Sequence, residues 1–519
     1  HGSNVRGIET TATFDAVQNG FILNTPRESA QKYWIGAAAD TARWCAVFAH
    51  LITRGKSHGV HAFLVRIRDD ISLVESDRSK HNLFKYSGGP VARGITIADV
   101  GDKVGLQGVD NGRLWFNHVF VPRENLLSRF GRVDENGTYF SELKSSSERF
   151  ARQLGALTGG RVSIATGALI NSKIGLMTAI RYAYSRRAFG PPGSIEVQLM
   201  FYQSHQLGLL PYLAKTYVMC FAQNRLKRLW WKCATQGVTK EVHVLSSGFK
   251  SLFSWHMRDC LQQCRELCGG QGYKSENRIA PIKNDRDVMM TFEGANPVLL
   301  QQVARALLDS MVSENSSARR TKNSSSTSLS ALGVVTDLQS LEADTKLLQE
   351  QKSIVSKEID LNVWIENALR VRVGALLNRL SSDLSGEMKT AGQGFNAWNQ
   401  CLDLAAHTAR AYIDLVLYVW FMDDLRSFNT LHTSTLDALQ MCATLFGLDV
   451  IESSATFLRL GCISASQADQ ISTLRIQYAS KLAPYSLSLT NAFGIPNHLL
   501  GPIANDWLSH YSREQLSKL

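Results

Sequence analysis

Two periods of hydrophobicity divide the chain. Roughly the first 135 residues are β-rich, with short runs such as Glu9-Thr10-Thr11-Ala12-Thr13-Phe14, Gly20-Phe21-Ile22-Leu23, Trp44-Cys45-Ala46-Val47-Phe48 and Val60-His61-Ala62-Phe63-Leu64-Val65. Short runs of this kind between turn signals predict strands. Asn19-Gly20, Asp110-Asn111-Gly112 and Asn136-Gly137 separate or close the runs, as turns of a barrel or sandwich would. After about residue 145 the period lengthens. Ile170, Ile174 and Met177, then Leu245, Phe249 and Leu252, follow the i, i+4, i+7 spacing of amphipathic helices.

The helical pattern yields to Ser313-Glu314-Asn315-Ser316-Ser317 and Asn323-Ser324-Ser325-Ser326-Thr327-Ser328, a serine-rich stretch expected to bury nothing. It resumes at Asp337-Leu338 and is clearest from Trp398 to Leu425. The expectation is a β domain over 1–140, a helical domain over 141–314, a linker over 315–334 and a second helical domain over 335–519. No apolar run approaches the ~20 residues of a membrane span. The longest, Leu415 to Met422, is bounded by Asp414 and Asp423-Asp424 and reads as a buried helix.

With 519 residues, 44% of them hydrophobic and 19% charged, the chain is long enough for several cores. Its +11 charge suits a polyanionic ligand such as a nucleotide or coenzyme. Nucleic acid is disfavoured, because no dense basic tract is interleaved with aromatics and there is neither helix-turn-helix nor zinc-finger spacing. Nine scattered cysteines fit a reducing interior. Cys260, Cys264 and Cys268 share a helix face, but without a histidine partner they read as packing residues and no metal is expected. Ser517-Lys518-Leu519 stands where a receptor-read peroxisomal address must stand, so the sequons at Asn136, Asn315 and Asn323 carry no glycosylation meaning. The start, His1-Gly2-Ser3-Asn4, falls inside what reads as a functional loop and suggests that an N-terminal part is missing.

Four segments could carry chemistry. In Thr291-Phe292-Glu293-Gly294, ahead of Val298-Leu299-Leu300, a glutamate can simply offset a helix dipole. If Met289, Met290 and Phe292 exclude water from it, desolvation raises its pKa and makes it a base. Lys32-Tyr33-Trp34-Ile35-Gly36 offers either a core tryptophan or an apolar wall against a planar ring. Ser185-Arg186-Arg187-Ala188-Phe189-Gly190, followed by His205-Gln206, offers either solvated helix-end charges or a guanidinium fork for a pyrophosphate. Cys268-Gly269-Gly270-Gln271-Gly272 would let backbone N–H groups close on an anion, although it is neither a Rossmann nor a Walker pattern.

Taken in order with His1-Gly2-Ser3-Asn4, Asp110-Asn111-Gly112 and Pro122-Arg123-Glu124-Asn125, these segments resemble the acyl-CoA dehydrogenase superfamily, and within it the peroxisomal acyl-CoA oxidases, most of all their plant-type, medium-chain branch. The resemblance implies a mixed α and β fold: a β-barrel or sandwich domain followed by two helical-bundle domains, with an N-terminal helical domain missing. It implies FAD, a fatty acyl-CoA substrate, dioxygen as acceptor, hydrogen peroxide as product and a homodimer. The nearest alternatives are a dehydrogenase that passes electrons to a protein acceptor, and a catalytically impaired scaffold descended from an oxidase.

By the same resemblance Glu293 is the catalytic base, and Trp34, Ile35 and Gly36 lie against the flavin. Arg186, His205, Gln206, Gly269 and Gly270 reach the FAD of a neighbouring subunit, while Ser3, Arg161 and Gly294 lie near substrate. The import receptor would read Ser517, Lys518 and Leu519. One departure is local: the oxidases usually carry Asp or Glu where this chain has Ala295, before Asn296.

Overall fold

The computed structural model of the chain describes residues 4–69, 88–236, 239–315, 328–351, 353–355, 358–391 and 394–512. Ser3, the centre of the serine-rich stretch and Ser517-Lys518-Leu519 lie outside them. The chain divides into two compact units, His1–Leu157 and Thr158–Leu519.

The first unit is built on eight principal strands: β1 (Thr11–Asp15), β2 (Gly20–Asn24), β3 (Lys32–Gly36), β4 (Trp44–Thr53), β5 (Lys56–Arg66), β6 (Ile95–Asp99), β7 (Asn111–Phe116) and β8 (Val119–Pro122). They form a five-stranded sheet, β5-β4-β1-β2-β8, and a three-stranded one, β3-β7-β6. Burial alternates along β4, where Cys45, Val47, Ala49 and Leu51 turn inward. With Phe21, Phe63, Leu114 and Phe116 they make a core lined from both sheets, in which Phe21 and Phe63 meet edge to face at 5.0 Å. Asn19, in the left-handed region at φ 51°, makes the β1–β2 hairpin, as its Asn-Gly signal predicts.

Asp110-Asn111-Gly112 does something other than the expected turn. Asn111 and Gly112 begin β7, and Asp110 caps the loop after β3. Its carboxylate accepts from the backbone N–H groups of Ala39, Asp40 and Thr41 at 2.9–3.0 Å, and these bonds hold it below the usual carboxylate range against the opposing effect of burial. Gly112 is glycine because a Cβ would stand 2.7 Å from the Ala39 nitrogen. A short helix, α1 (Ser146–Leu154), capped by the Ser145 hydroxyl, closes this unit.

The second unit is helical: α2 (Ala156–Ser185), α3 (Gln203–Gln236), α4 (Lys240–Leu267), α5 (Ile279–Arg286), α6 (Asn296–Asn315), α7 (Leu338–Glu350), α8 (Leu361–Ala391), α9 (Gly394–Gln400), α10 (Leu402–Ser427), α11 (Thr433–Glu452), α12 (Thr456–Arg459) and α13 (Ala465–Leu482). Where the sequence suggested two helical domains, one continuous core runs from Val162 to Ile503. Phe249 of α4 stacks on Phe253 at 4.9 Å and meets Trp420 of α10 edge to face at 6.0 Å. Such buried aromatics contribute about 1.5–3 kcal/mol each, which explains why the two helical stretches do not stand apart.

At the described end of the stretch read as linker, Leu329, Leu332 and Val334 are buried in that core. Ile170, expected on the buried face of α2, is 50% exposed, whereas Met177 is 2% exposed. The membrane expectation also needs amending. Stretches of α2 (Leu157–Ser185) and α11 (Thr433–Glu452) are long and apolar enough to cross a bilayer, but 67% and 61% of their apolar windows are buried within the protein.

Candidate active site

Glu293 lies in the helical unit, on the turn that joins the end of α5 to α6. It is not in the first turn of a helix, where a dipole-compensating glutamate would stand. Its backbone is left-handed at φ 54°, and Gly294 follows at φ 104°. A non-glycine residue there is uncommon and costs about 1–3 kcal/mol unless its surroundings impose it. Gly294 is required twice over, since a Cβ would also stand 2.8 Å from the Leu299 side chain. Leu299 and Leu300, both buried in α6, anchor the far side of the turn.

Two buried cations hold the turn by its carbonyls. Arg161, on α2, donates from Nε to the carbonyl oxygen of Glu293 at 3.2 Å and from Nη1 to Ser247 Oγ at 3.1 Å. Burial pushes its pKa down, and the Glu293 carboxylate opposes that shift. Lys250, on α4 and fully buried, donates from Nζ to the Gly294 carbonyl at 2.7 Å and to Asn296 Oδ1 at 2.9 Å. The amide of Asn296 donates in turn to the Ser251 carbonyl and to Ser254 Oγ. Burial and the neighbouring Arg161 draw the Lys250 pKa down to about 8, with Glu293 again opposing.

The carboxylate itself points at α2. A Cβ on Gly160 would stand 2.9 Å from Glu293 Cδ, so this helix can lie under the acid only with glycine there. Glu293 Oε2 is buried and, among the described residues, accepts no hydrogen bond. A buried carboxylate oxygen without a donor is poised to accept a proton. The expected apolar shield is only partly present: Met289 is buried, but Phe292 is 41% exposed.

The glycine-rich turn follows α4 and is separated from Glu293 by α5. Gly269, at φ 55°, and Gly270 are exposed, and a Cβ on either would meet nothing within 4 Å. Gly272, by contrast, is packed against the Arg265 carbonyl. Buried Asn277 donates to the Gln271 carbonyl at 2.9 Å and accepts from Ile503 N–H at 3.2 Å, which ties the turn to the C-terminal stretch. His205 stands beside the turn, with Nε2 3.2 Å from the Leu267 carbonyl, and Gln206 donates to the Met200 carbonyl. Arg186 is exposed, its guanidinium 5.8 Å from the Trp507 ring, and Trp507 Nε1 donates to Ser185 Oγ. Cys260, Cys264 and Cys268 are buried free thiols.

In the β unit, Trp34 sits at a bulge in β3, left-handed at φ 62° and 59% exposed. It is therefore not a core tryptophan. Ile35 packs inward, and a Cβ on Gly36 would meet nothing within 4 Å. Lys32 Nζ fastens the strand to the Phe48 carbonyl at 2.7 Å. An exposed indole beside open glycine backbone fits the face of a planar cofactor. The open glycines and exposed arginine of the helical unit fit an anionic group, so each unit, taken by itself, is compatible with part of a flavin dinucleotide.

The same unit as Trp34 holds a basic concavity of about 630 Å³, lined by Lys56, Ser57, His58, Tyr139, Lys144 and Arg149 among others and by no described carboxylate. His58 stacks on Tyr139 at 4.0 Å, and burial, then Lys56 and Arg149, push its pKa down. Neither this pocket nor Lys250 stands out in the sequence.

The chain resembles known proteins along nearly its whole length. Residues 154–308 match the family model "Acyl-CoA oxidase, C-alpha1 domain" and residues 360–503 match "Acyl-CoA oxidase". The chain is 38% identical over 512 residues to acyl-coenzyme A oxidase 3, peroxisomal, of Arabidopsis thaliana, covering 98% of this chain and 70% of that protein. It is 36% identical over 532 residues to acyl-coenzyme A oxidase 2, peroxisomal, of the same plant, covering 99% and 72%. Among solved structures, Arabidopsis thaliana acyl-CoA oxidase 1 superposes with a TM-score of 0.81 at 25% identity, over 97% of this chain and 73% of that one. Caenorhabditis elegans acyl-CoA oxidase-1, solved with FAD and ATP, superposes with a TM-score of 0.82 at 26% identity, over 100% and 72%. On these grounds the chain belongs to the acyl-CoA oxidase family.

Proposed function

We propose that the protein oxidises a fatty acyl-CoA to the trans-2-enoyl-CoA and reduces dioxygen to hydrogen peroxide, the first step of peroxisomal fatty acid β-oxidation. The observation that carries this reading is the Glu293 carboxylate, held in a left-handed turn by Arg161, with one buried oxygen free of hydrogen bonds among the described residues. Glu293 takes the α-proton at that oxygen. Its backbone N–H polarises the thioester carbonyl and so acidifies the α-carbon. FAD, when bound, supplies the acceptor for the β-hydrogen and its electron pair, and dioxygen then takes those electrons.

Trp34, Ile35 and Gly36 are the proposed flavin wall. Arg186, His205, Gln206, Gly269 and Gly270 are the proposed contacts to the FAD of a neighbouring copy in a homodimer. The basic concavity around Lys56, His58, Lys144 and Arg149 matches the phosphates of coenzyme A, since three cationic side chains line it without a described carboxylate. Gly294 and Arg161 are proposed to stand beside the acyl thioester, and Ser3 on the loop that faces the substrate. The import receptor is proposed to read Ser517, Lys518 and Leu519.

The test is acyl-CoA-dependent peroxide formation by the FAD-loaded protein, compared with turnover on an artificial electron acceptor. Stoichiometric peroxide is expected. Turnover only with the artificial acceptor would make the protein a dehydrogenase, and failure to take up FAD would favour the scaffold reading.

A further inference from the structure

We infer that Lys250 is a positioning residue for the α-proton base, holding the turn that aims Glu293. The inference rests on the assignment of Glu293 as that base. Lys250 lies deep in α4, in Gly248-Phe249-Lys250-Ser251, where a long polar side chain has no route to solvent. Its ammonium is bonded to two neutral oxygens, the carbonyl of Gly294 and Oδ1 of Asn296, with no described carboxylate bonded to it. The Asn296 amide is fixed by Ser251 and Ser254, so Oδ1 can only face the lysine.

An ammonium buried in this way is costly, and an apolar side chain of the same volume would serve packing better. The position of the contact supplies the compensating use. The Gly294 carbonyl is one peptide beyond the base, in a turn whose two central residues are both left-handed, and a charge-assisted bond there opposes relaxation of the turn. The charges also do not cancel. Arg161 from α2 and Lys250 from α4 flank one carboxylate, so the cluster is net positive while Glu293 is ionised. That field offsets the negative charge that develops on the substrate as its α-proton leaves. His243, the other titratable group near Arg161, is on α4 itself and is disfavoured as a cation by burial first and then by Arg161. From α6 the facing groups, Asn296 and Gln302, do not titrate.

Two variants of the FAD-loaded protein test this, with the pH profile of kcat/KM as the readout a purely structural lysine would not move. Lys250→Met removes the charge and the bond. Asn296→Asp, nearly isosteric, gives Lys250 a carboxylate partner that cancels its field at Glu293 and keeps the site filled. In both, the acid limb of the profile is expected to move to higher pH, because a positive charge near the site has been removed or cancelled. In Lys250→Met, kcat is expected to fall about tenfold or more with KM changed less than roughly threefold. A folded Lys250→Met with the wild-type profile overturns the inference. If Lys250→Met does not fold, a wild-type profile in Asn296→Asp overturns it. Glu293→Gln separates the two ideas: turnover retained there means the base has been misassigned, whereas turnover lost there alongside wild-type Lys250→Met and Asn296→Asp profiles removes only the role of Lys250.

Discussion

Gly160 of α2 lies directly beneath the carboxylate of Glu293, so close that a Cβ at 160 would stand 2.9 Å from Cδ and 3.0–3.1 Å from both oxygens. The atoms in the way are the far end of a flexible side chain, so an added methyl group displaces the acid without disturbing the helix. Gly160→Ala is therefore expected to leave the thermal midpoint unchanged or raised, since alanine favours a helix interior over glycine by about 1 kcal/mol. It is expected to lower turnover by tenfold or more, on the order expected when a proton-transfer group loses its position. Thermal unfolding and steady-state kinetics on the same preparation check both signs.

The left-handed backbone of Glu293 makes a second prediction of the same kind. Glu293→Gly removes a strained conformation and a buried oxygen that lacks a donor. The variant is expected to be as stable as the parent or more so, by up to about 1 kcal/mol, while losing turnover. Equilibrium denaturation with a peroxide assay reads both.

Ala295 precedes the first residue of α6, and its carbonyl accepts from Leu299 N–H at 3.1 Å. Alanine offers no side-chain oxygen to the first turn. Ala295→Ser supplies one and is expected to stabilise the helical unit by about 0.5–2 kcal/mol. Denaturant midpoints of the two proteins give the comparison.

Acid stability of the β unit should depend on His61. This histidine is buried, with Nδ1 3.0 Å from the Gly59 carbonyl and Nε2 3.0 Å from the Tyr139 hydroxyl, so Nδ1 donates and Nε2 accepts. Burial, the largest cause, pulls its pKa from 6.5 to about 4, with Arg149, His58 and His50 adding to the effect. The folded pKa lies below the unfolded one, so the unfolded state binds more protons between these values. Stability is full above about pH 6.5 and is lost as pH falls towards 4, by up to about 3 kcal/mol. His61→Gln should flatten that decline, as urea melts across this pH range would show.

What could be read from the chain depended on how local its cause was. The strands of the β unit showed as short apolar runs between turn signals, whereas Glu293 and the glycine turn showed as short segments that each also allowed a plain structural reading, and Arg161 came only with the family resemblance. Lys250 did not show, because a lysine in a helix normally reaches solvent along its apolar stem, and its partners Gly294 and Asn296 lie over forty residues away and are neutral. Trp34 showed as an aromatic beside glycine, but its exposure depends on a bulge and a left-handed backbone set by pairing with β7. Leu329, Leu332 and Val334 sit in a serine-rich setting that reads as linker, and only the shared core of the helical unit shows that they are buried.

Removal of the α-proton by Glu293 is tested most directly by adding acyl-CoA anaerobically to the FAD-loaded protein and following loss of the oxidised-flavin absorbance in wild type and in Glu293→Gln. Rapid bleaching is expected in wild type. In Glu293→Gln none is expected on the same timescale, with FAD content and acyl-CoA binding retained. Bleaching of the Gln variant at the wild-type rate would contradict the assignment of Glu293 as the base.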